Sequence, residues 1–89
     1  MQIAIVDDLK SERDLLSSYL VRYCKENSIS LNLVKFTCGE EILAAKTTSF
    51  DIIFLDIYMP GLSGIETASE IRKLDSNCLL VFSTTSSDF

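Results

Sequence analysis

The stretch Phe50-Asp51-Ile52-Ile53-Phe54-Leu55-Asp56-Ile57-Tyr58-Met59-Pro60-Gly61 decides the fold. Ile52 to Leu55 is an unbroken apolar run of β-branched and aromatic residues with no polar alternation. Such a run reads as a strand buried on both faces, as in a parallel sheet. It stops at the carboxylate of Asp56, and Met59-Pro60-Gly61 then breaks the chain. Open α/β sheets carry their ligand sites outside the carboxyl ends of the strands, so Asp56 stands at a site position. With Leu55 and Ile57 on either side, its carboxylate needs a partner cation or a reaction to perform.

The amino terminus follows the same grammar. Ile3-Ala4-Ile5-Val6 is a short buried strand that ends in Asp7-Asp8. A helix is expected to start near Ser11, with Ser11 as N-cap and Asp14 three residues on as a weak capping box. Leu15, Leu16, Tyr19, Leu20 and Tyr23 recur at helical spacing and predict a face packed on the core. Asn27 and Ser28 break that pattern, and Leu31, Leu33, Val34 and Phe36 indicate a second strand. Thr37-Cys38-Gly39 reads as a turn, Glu40 to about Lys46 as a short helix with Ile42 and Leu43 inward, and Thr47-Thr48-Ser49 as a polar loop. Beyond Gly61, Ser63-Gly64 opens a helix carrying Ile65, Ala68 and Ile71 every third residue, closed by Asp75-Ser76-Asn77. Leu79-Leu80-Val81-Phe82 predicts a fourth buried strand, ending in the hydroxyl run Ser83-Thr84-Thr85-Ser86-Ser87. The order β-α-β-α-β-α-β, with short connections, specifies an α/β fold: a doubly wound parallel sheet with right-handed crossovers.

Composition narrows the function. The 89 residues form one domain, 1–89, and 47% are hydrophobic, enough for a real core. A formal net charge of −5 argues against a nucleic-acid surface on this domain, because phosphate contacts need clustered Lys and Arg. The absence of histidine excludes any mechanism that needs a histidine from this chain. Cys24, Cys38 and Cys78 are odd in number and widely spaced, which favours reduced thiols packed as small hydrophobes in a cytoplasmic protein over a disulfide or zinc site. Asp7 and Asp8 interrupt the first apolar run, so neither a secretory signal nor a membrane span is read there.

If the first, third and fourth strands adjoin, their carboxyl ends bring Asp7, Asp8, Asp56 and Thr84 together. Three carboxylates without a Lys or Arg among them stay ionised only around a hard cation, and oxygen ligands suit Mg²⁺ or, alternatively, Mn²⁺. Asp56 could then attack phosphorus and form an acyl phosphate, with Thr84 donating a hydroxyl hydrogen bond to a phosphoryl oxygen. Taken singly, Asp7-Asp8 are equally well explained by helix capping and Thr84 by turn formation. Their joint position at matching strand ends favours the functional reading.

These residues resemble the receiver domain of two-component response regulators. The resemblance runs the length of the chain, through Ile3-Ala4-Ile5-Val6-Asp7-Asp8, Asp51 to Gly61, Gly64 and Val81-Phe82-Ser83-Thr84. It implies the flavodoxin-like strand order 2-1-3-4-5. Asp56 matches the aspartate that accepts a phosphoryl group from a sensor histidine kinase. Asp8 matches the direct Mg²⁺ ligand and Asp7 the water-mediated one. Tyr58 matches the position whose backbone carbonyl completes the metal site, and Thr84 matches the switch hydroxyl that couples the phosphoryl group to an output. The wording from Phe50 to Glu66 and the ending Phe82 to Ser86 are most similar to receivers fused to LytTR-type DNA-binding domains, which implies a transcriptional output domain outside these residues. A receiver is not a conventional enzyme, although it assists its own phosphorylation and dephosphorylation.

Two departures from the family pattern carry expectations. The chain stops before the family's fifth strand, its terminal lysine and the fifth helix, leaving about four strands and three helices. Loss of the lysine is expected to impair phosphotransfer, and Thr85, where the family prefers a smaller residue, to restrict access to the phosphoryl group. Other readings fit less well. A haloacid-dehalogenase-type phosphatase needs a second aspartate at the position held by Tyr58. A nucleotide-binding flavodoxin-like domain needs a Gly-rich loop where Asp7-Asp8-Leu9-Lys10-Ser11 stands. A pseudo-receiver that binds proteins without phosphorylation usually lacks the acid pair or the acceptor, and both are present. An open sheet edge predicts a marginal fold or a homodimer paired through that edge. Sedimentation should show association or a poorly folded chain, and a well-folded monomer would contradict both.

Overall fold

The computed structural model describes residues 1–45 and 49–83. Its elements are β1 (Gln2–Val6), α1 (Lys10–Glu26), β2 (Asn32–Phe36), α2 (Gly39–Ala44), β3 (Ile52–Asp56), α3 (Gly64–Leu74) and β4 (Leu79–Ser83). All strand pairs are parallel, in the order β2-β1-β3-β4. Right-handed crossovers explain how the helices divide. The step from β1 to β2 runs across the sheet in one sense, and the steps from β2 to β3 and from β3 to β4 in the other. Consequently α1 covers one face while α2 and α3 share the opposite one.

Side-chain alternation sorts the core accordingly. Ala4 and Val6 of β1, in register with Ile53 and Leu55 of β3, face α2 and α3. They join Phe36, Ile42, Phe50, Met59, Ala68 and Ile71 in one buried cluster. Phe36 and Phe50 meet edge to face at 6.1 Å between centroids, tying the end of β2 to the entry of β3. Ile3 and Ile5 point to the α1 face and are equally buried. The thiols of Cys24 and Cys78 are free and buried, and that of Cys38 is half-buried.

Four expectations need correction. First, α1 begins at Lys10 with Leu9 as its N-cap, and no side chain caps it, so Ser11 lies inside the helix. Secondly, Leu15, Tyr19 and Tyr23 are 48%, 58% and 60% exposed. The stripe that meets the sheet is Leu16, Leu20 and Cys24, spaced four apart, with only Cys24 fully buried. Apolar residues surround much of this helix, and periodicity alone could not select which of them faces β1. Thirdly, Ile65 is exposed, whereas Ala68 and Ile71 are buried as expected. Fourthly, β4 is not a buried strand. Its one strand neighbour among the described residues is β3, and Leu79 and Phe82 are exposed.

The turn after β3 is built by glycine and a cap. Gly61 adopts φ +75°, in the left-handed region, where a side chain would also collide with the Glu40 carboxylate. Ser63 and Glu66 form a reciprocal capping box, each side chain accepting a 3.1 Å hydrogen bond from the other's backbone N–H. Gly64 N–H donates to the Ile57 carbonyl at 2.9 Å. A Cβ at Gly64 would sit 2.8 Å from Ile57 Cα and also against the Asp56 carbonyl oxygen, which is backbone and cannot swing aside. Gly64→Ala should therefore destabilise the fold by about 2–3 kcal/mol in chemical denaturation. A cost within the scatter of surface substitutions would show that α3 does not press on the loop after Asp56.

Candidate functional site

Parallel in-register pairing of β1 with β3 aligns Val6 with Leu55, so the residues that follow, Asp7 and Asp56, end neighbouring strands at the same level. Asp8 comes next. One carboxylate oxygen from each of Asp7, Asp8 and Asp56 can be chosen so that all lie within 4.8 Å of one another. Asp56 is 1% exposed and Asp7 5%, whereas Asp8 faces solvent. At 4.8 Å two ionised carboxylates repel by roughly 3.5 kcal/mol at an effective dielectric constant of about 20, and by more when closer. The arrangement is costly for the protein alone and favourable around a hard cation.

Backbone contacts hold the acids in place. Asp7 N–H donates to the Phe36 carbonyl at 3.1 Å, which joins the end of β1 to the end of β2. The Asp7 carboxylate accepts from Leu9 N–H at 3.0 Å, forming an Asx turn. The Asp7 carbonyl accepts from the Arg13 guanidinium at 2.8 Å. The Asp56 carboxylate accepts from Tyr58 N–H at 3.3 Å, and Ile57 N–H donates to the Ser83 carbonyl of β4 at 2.9 Å. Burial, the largest effect, raises the Asp7 pKa above the ordinary carboxylate value; the Leu9 hydrogen bond lowers it, the Asp8 and Glu12 charges raise it, and Arg13 lowers it.

The structure thus brings together Asp7, Asp8 and Asp56, the three acids singled out in the sequence. Tyr58 lies at the rim with its side chain 64% exposed and its amide turned to Asp56. Thr84 and Thr85 lie outside the described residues. Ser83, just before them, pairs with Asp56 in the β3–β4 register. Arg13 escaped the sequence reading. The available signal was a cation in the first turns of α1, where the helix dipole favours acids.

The family model for the response regulator receiver domain matches residues 3–89. This chain belongs to the response regulator receiver domain family. The receiver is 37% identical over 83 residues to a transcriptional regulatory protein, YrkP, of Bacillus subtilis, covering 93% of this chain and 33% of that one. It is 34% identical over 87 residues to the sensory transduction protein LytT of Oceanobacillus iheyensis, covering 94% and 34% respectively. The chain therefore spans about a third of the length of these relatives. Among solved structures, it resembles the response regulator TrrA of Thermotoga maritima in complex with Mg²⁺–BeF, at TM-score 0.81 and 33% identity, covering 97% of this chain and 70% of that one. It also resembles TrrA in complex with the histidine kinase ThkA, at TM-score 0.74 and 34% identity, covering 99% and 72%.

The oxygen-only donor set of this receiver fits a hard divalent ion. Three carboxylates supply the donors, and Arg13 beside them engages the Asp7 backbone carbonyl. Because the folded Asp7 pKa is raised, its protonation favours the metal-free fold. That contribution is fully present below the unfolded value of 3.8 and is lost as pH rises through the folded pKa. At neutral pH, Asp7→Asn should stabilise the metal-free fold in EDTA by about 1 kcal/mol or less, read as a higher melting temperature, since the open side of the site screens the charges. The gain should vanish in acid, and a lower melting temperature at neutral pH would contradict the sign.

Proposed function

We propose that this receiver domain accepts a phosphoryl group on Asp56 from the phosphohistidine of a sensor histidine kinase, with Mg²⁺ held by Asp7, Asp8, Asp56 and the Tyr58 carbonyl. The observation that carries this reading is the Asp56 carboxylate, buried at the end of β3 with two further carboxylates within 4.8 Å. A bound divalent ion would neutralise these charges and those of the incoming phosphoryl oxygens. In transfer, an Asp56 carboxylate oxygen donates an electron pair to phosphorus and forms a P–O bond. The P–N bond to the donor imidazole breaks, its electron pair returns to nitrogen, and that nitrogen takes up a proton. The product is an acyl phosphate on Asp56 and a neutral histidine on the kinase. Tyr58 N–H orients the Asp56 carboxylate, and Asp7 is held by its contacts to Phe36, Leu9 and Arg13.

In the same reading, Thr84 supplies the switch hydroxyl. The β3–β4 register supports this, because Ser83 pairs with Asp56 and Thr84 is the next residue. The output lies in a further domain of the whole protein and is transcriptional, in keeping with the name of the YrkP relative. DNA contacts belong to that domain, since this one carries a net charge of −5. Signalling of this kind takes place in the cytoplasm. Among the described residues no helix is long and apolar enough to cross a membrane.

Intact-mass spectrometry after incubation with acetyl phosphate tests the proposal. A single phosphoryl adduct should form with Mg²⁺ and be absent with EDTA or in Asp56→Asn. A folded protein that takes no adduct would favour a receiver that binds partners without phosphorylation.

A further inference from the structure

The first turns of α1 carry Lys10 and Arg13, at the helix end where cations are unfavourable. Lys10 is satisfied by Asp14 at 2.6 Å on the exposed surface. Arg13 instead reaches back over the turn and places its guanidinium on the Asp7 carbonyl at 2.8 Å. That carbonyl belongs to the peptide joining Asp7 to Asp8. It lies between the end of β1 at Val6 and the start of α1 at Lys10, where Arg13 adds to the restraint given by the Asp7 amide on Phe36 and the Asx turn to Leu9. Among the described residues no hydrogen bond holds the Asp8 side chain, so the orientation of this peptide sets where the Asp8 carboxylate points.

We propose that Arg13 is a positioning residue for the acid pair, holding the Asp7–Asp8 peptide so that both carboxylates meet Asp56 around a divalent cation. This inference rests on the metal reading of the site given above. Two effects of the side chain oppose each other. As a cation near the cluster, Arg13 repels an incoming metal ion, so its removal should tighten binding. As a tether, it preorganises the ligands, so its removal should weaken binding. The direct hydrogen bond to the loop, in a half-buried position, makes the tether the larger effect. Loss of such a supporting contact typically costs tenfold or more in metal affinity.

The test uses wild type, Arg13→Met and Arg13→Lys. Mg²⁺ affinity is read by calorimetry, and hydrogen exchange of the Leu9 amide, which closes the Asp7 turn, is read by NMR in EDTA. Arg13→Met should weaken Mg²⁺ by about tenfold even though it makes the domain more acidic, and should speed Leu9 exchange. Arg13→Lys, which keeps a donor and the charge, should recover part of both. Equal or tighter Mg²⁺ binding by Arg13→Met would overturn the inference. If wild type itself fails to bind Mg²⁺, the metal reading and with it the positioning role for a cation fall together. Leu9 exchange then separates the two, because a change in Arg13→Met would still show that the tether exists.

Discussion

Like-charge repulsion at one strand end is the constraint on which the rest of the structure depends. Two carboxylates that are almost fully buried and a third in solvent stand within 4.8 Å of one another. Nothing in hydrophobic burial favours that arrangement, and the Asp7 pKa is raised by burial first, with the Asp8 charge adding to it. The fold imposes it through the parallel β1–β3 ladder. Four consecutive residue pairs, from Ile3 with Ile52 to Val6 with Leu55, lock the strands in register. Slipping the ladder by one residue would turn Ala4 and Val6 away from the α2–α3 core, so the apolar core and the acid cluster are specified together.

Around that ladder, short local devices prevent the loops from relaxing the cluster. Phe36, at the end of β2, takes the Asp7 amide, and Leu9 and Arg13 take its carboxylate and carbonyl. On the β3 side, Tyr58 N–H engages Asp56, Ser83 takes the Ile57 amide, and the Ser63–Glu66 box seats α3 against the turn. Gly64 allows this close approach because it has no Cβ. Gly39 has a similar role between helices, where a Cβ would run into the buried Thr67 side chain. The site is therefore supported from both faces of the sheet, by α1 on one and by α2 and α3 on the other.

The central part of the fold was legible because the relevant signals were strong and local. An apolar run ending in a carboxylate occurs twice, at Val6-Asp7 and Leu55-Asp56, and both runs are strands in the structure. What eluded sequence reading depends on tertiary placement. Leu15, Tyr19 and Tyr23 have helical spacing but face solvent, because α1 covers its side of the sheet through the Leu16–Leu20–Cys24 stripe. Leu79 and Phe82 lie in an apolar strand yet are exposed, since β4 has β3 as its one described strand neighbour. The cap at Leu9 was unreadable because the loop is organised by the Asp7 carboxylate and Arg13, not by a serine at the helix start.

The central claim is that Asp56, with Asp7 and Asp8, forms a divalent-cation-dependent phosphoryl site. Fluorine NMR with beryllofluoride tests it most directly, because this tetrahedral phosphoryl mimic needs a carboxylate oxygen and, at a site of this kind, a divalent ion. The account predicts bound fluorine resonances when Mg²⁺ and beryllofluoride are both present, lost on chelation and absent from Asp56→Asn. A folded domain that shows only free beryllofluoride at saturating Mg²⁺ would contradict it.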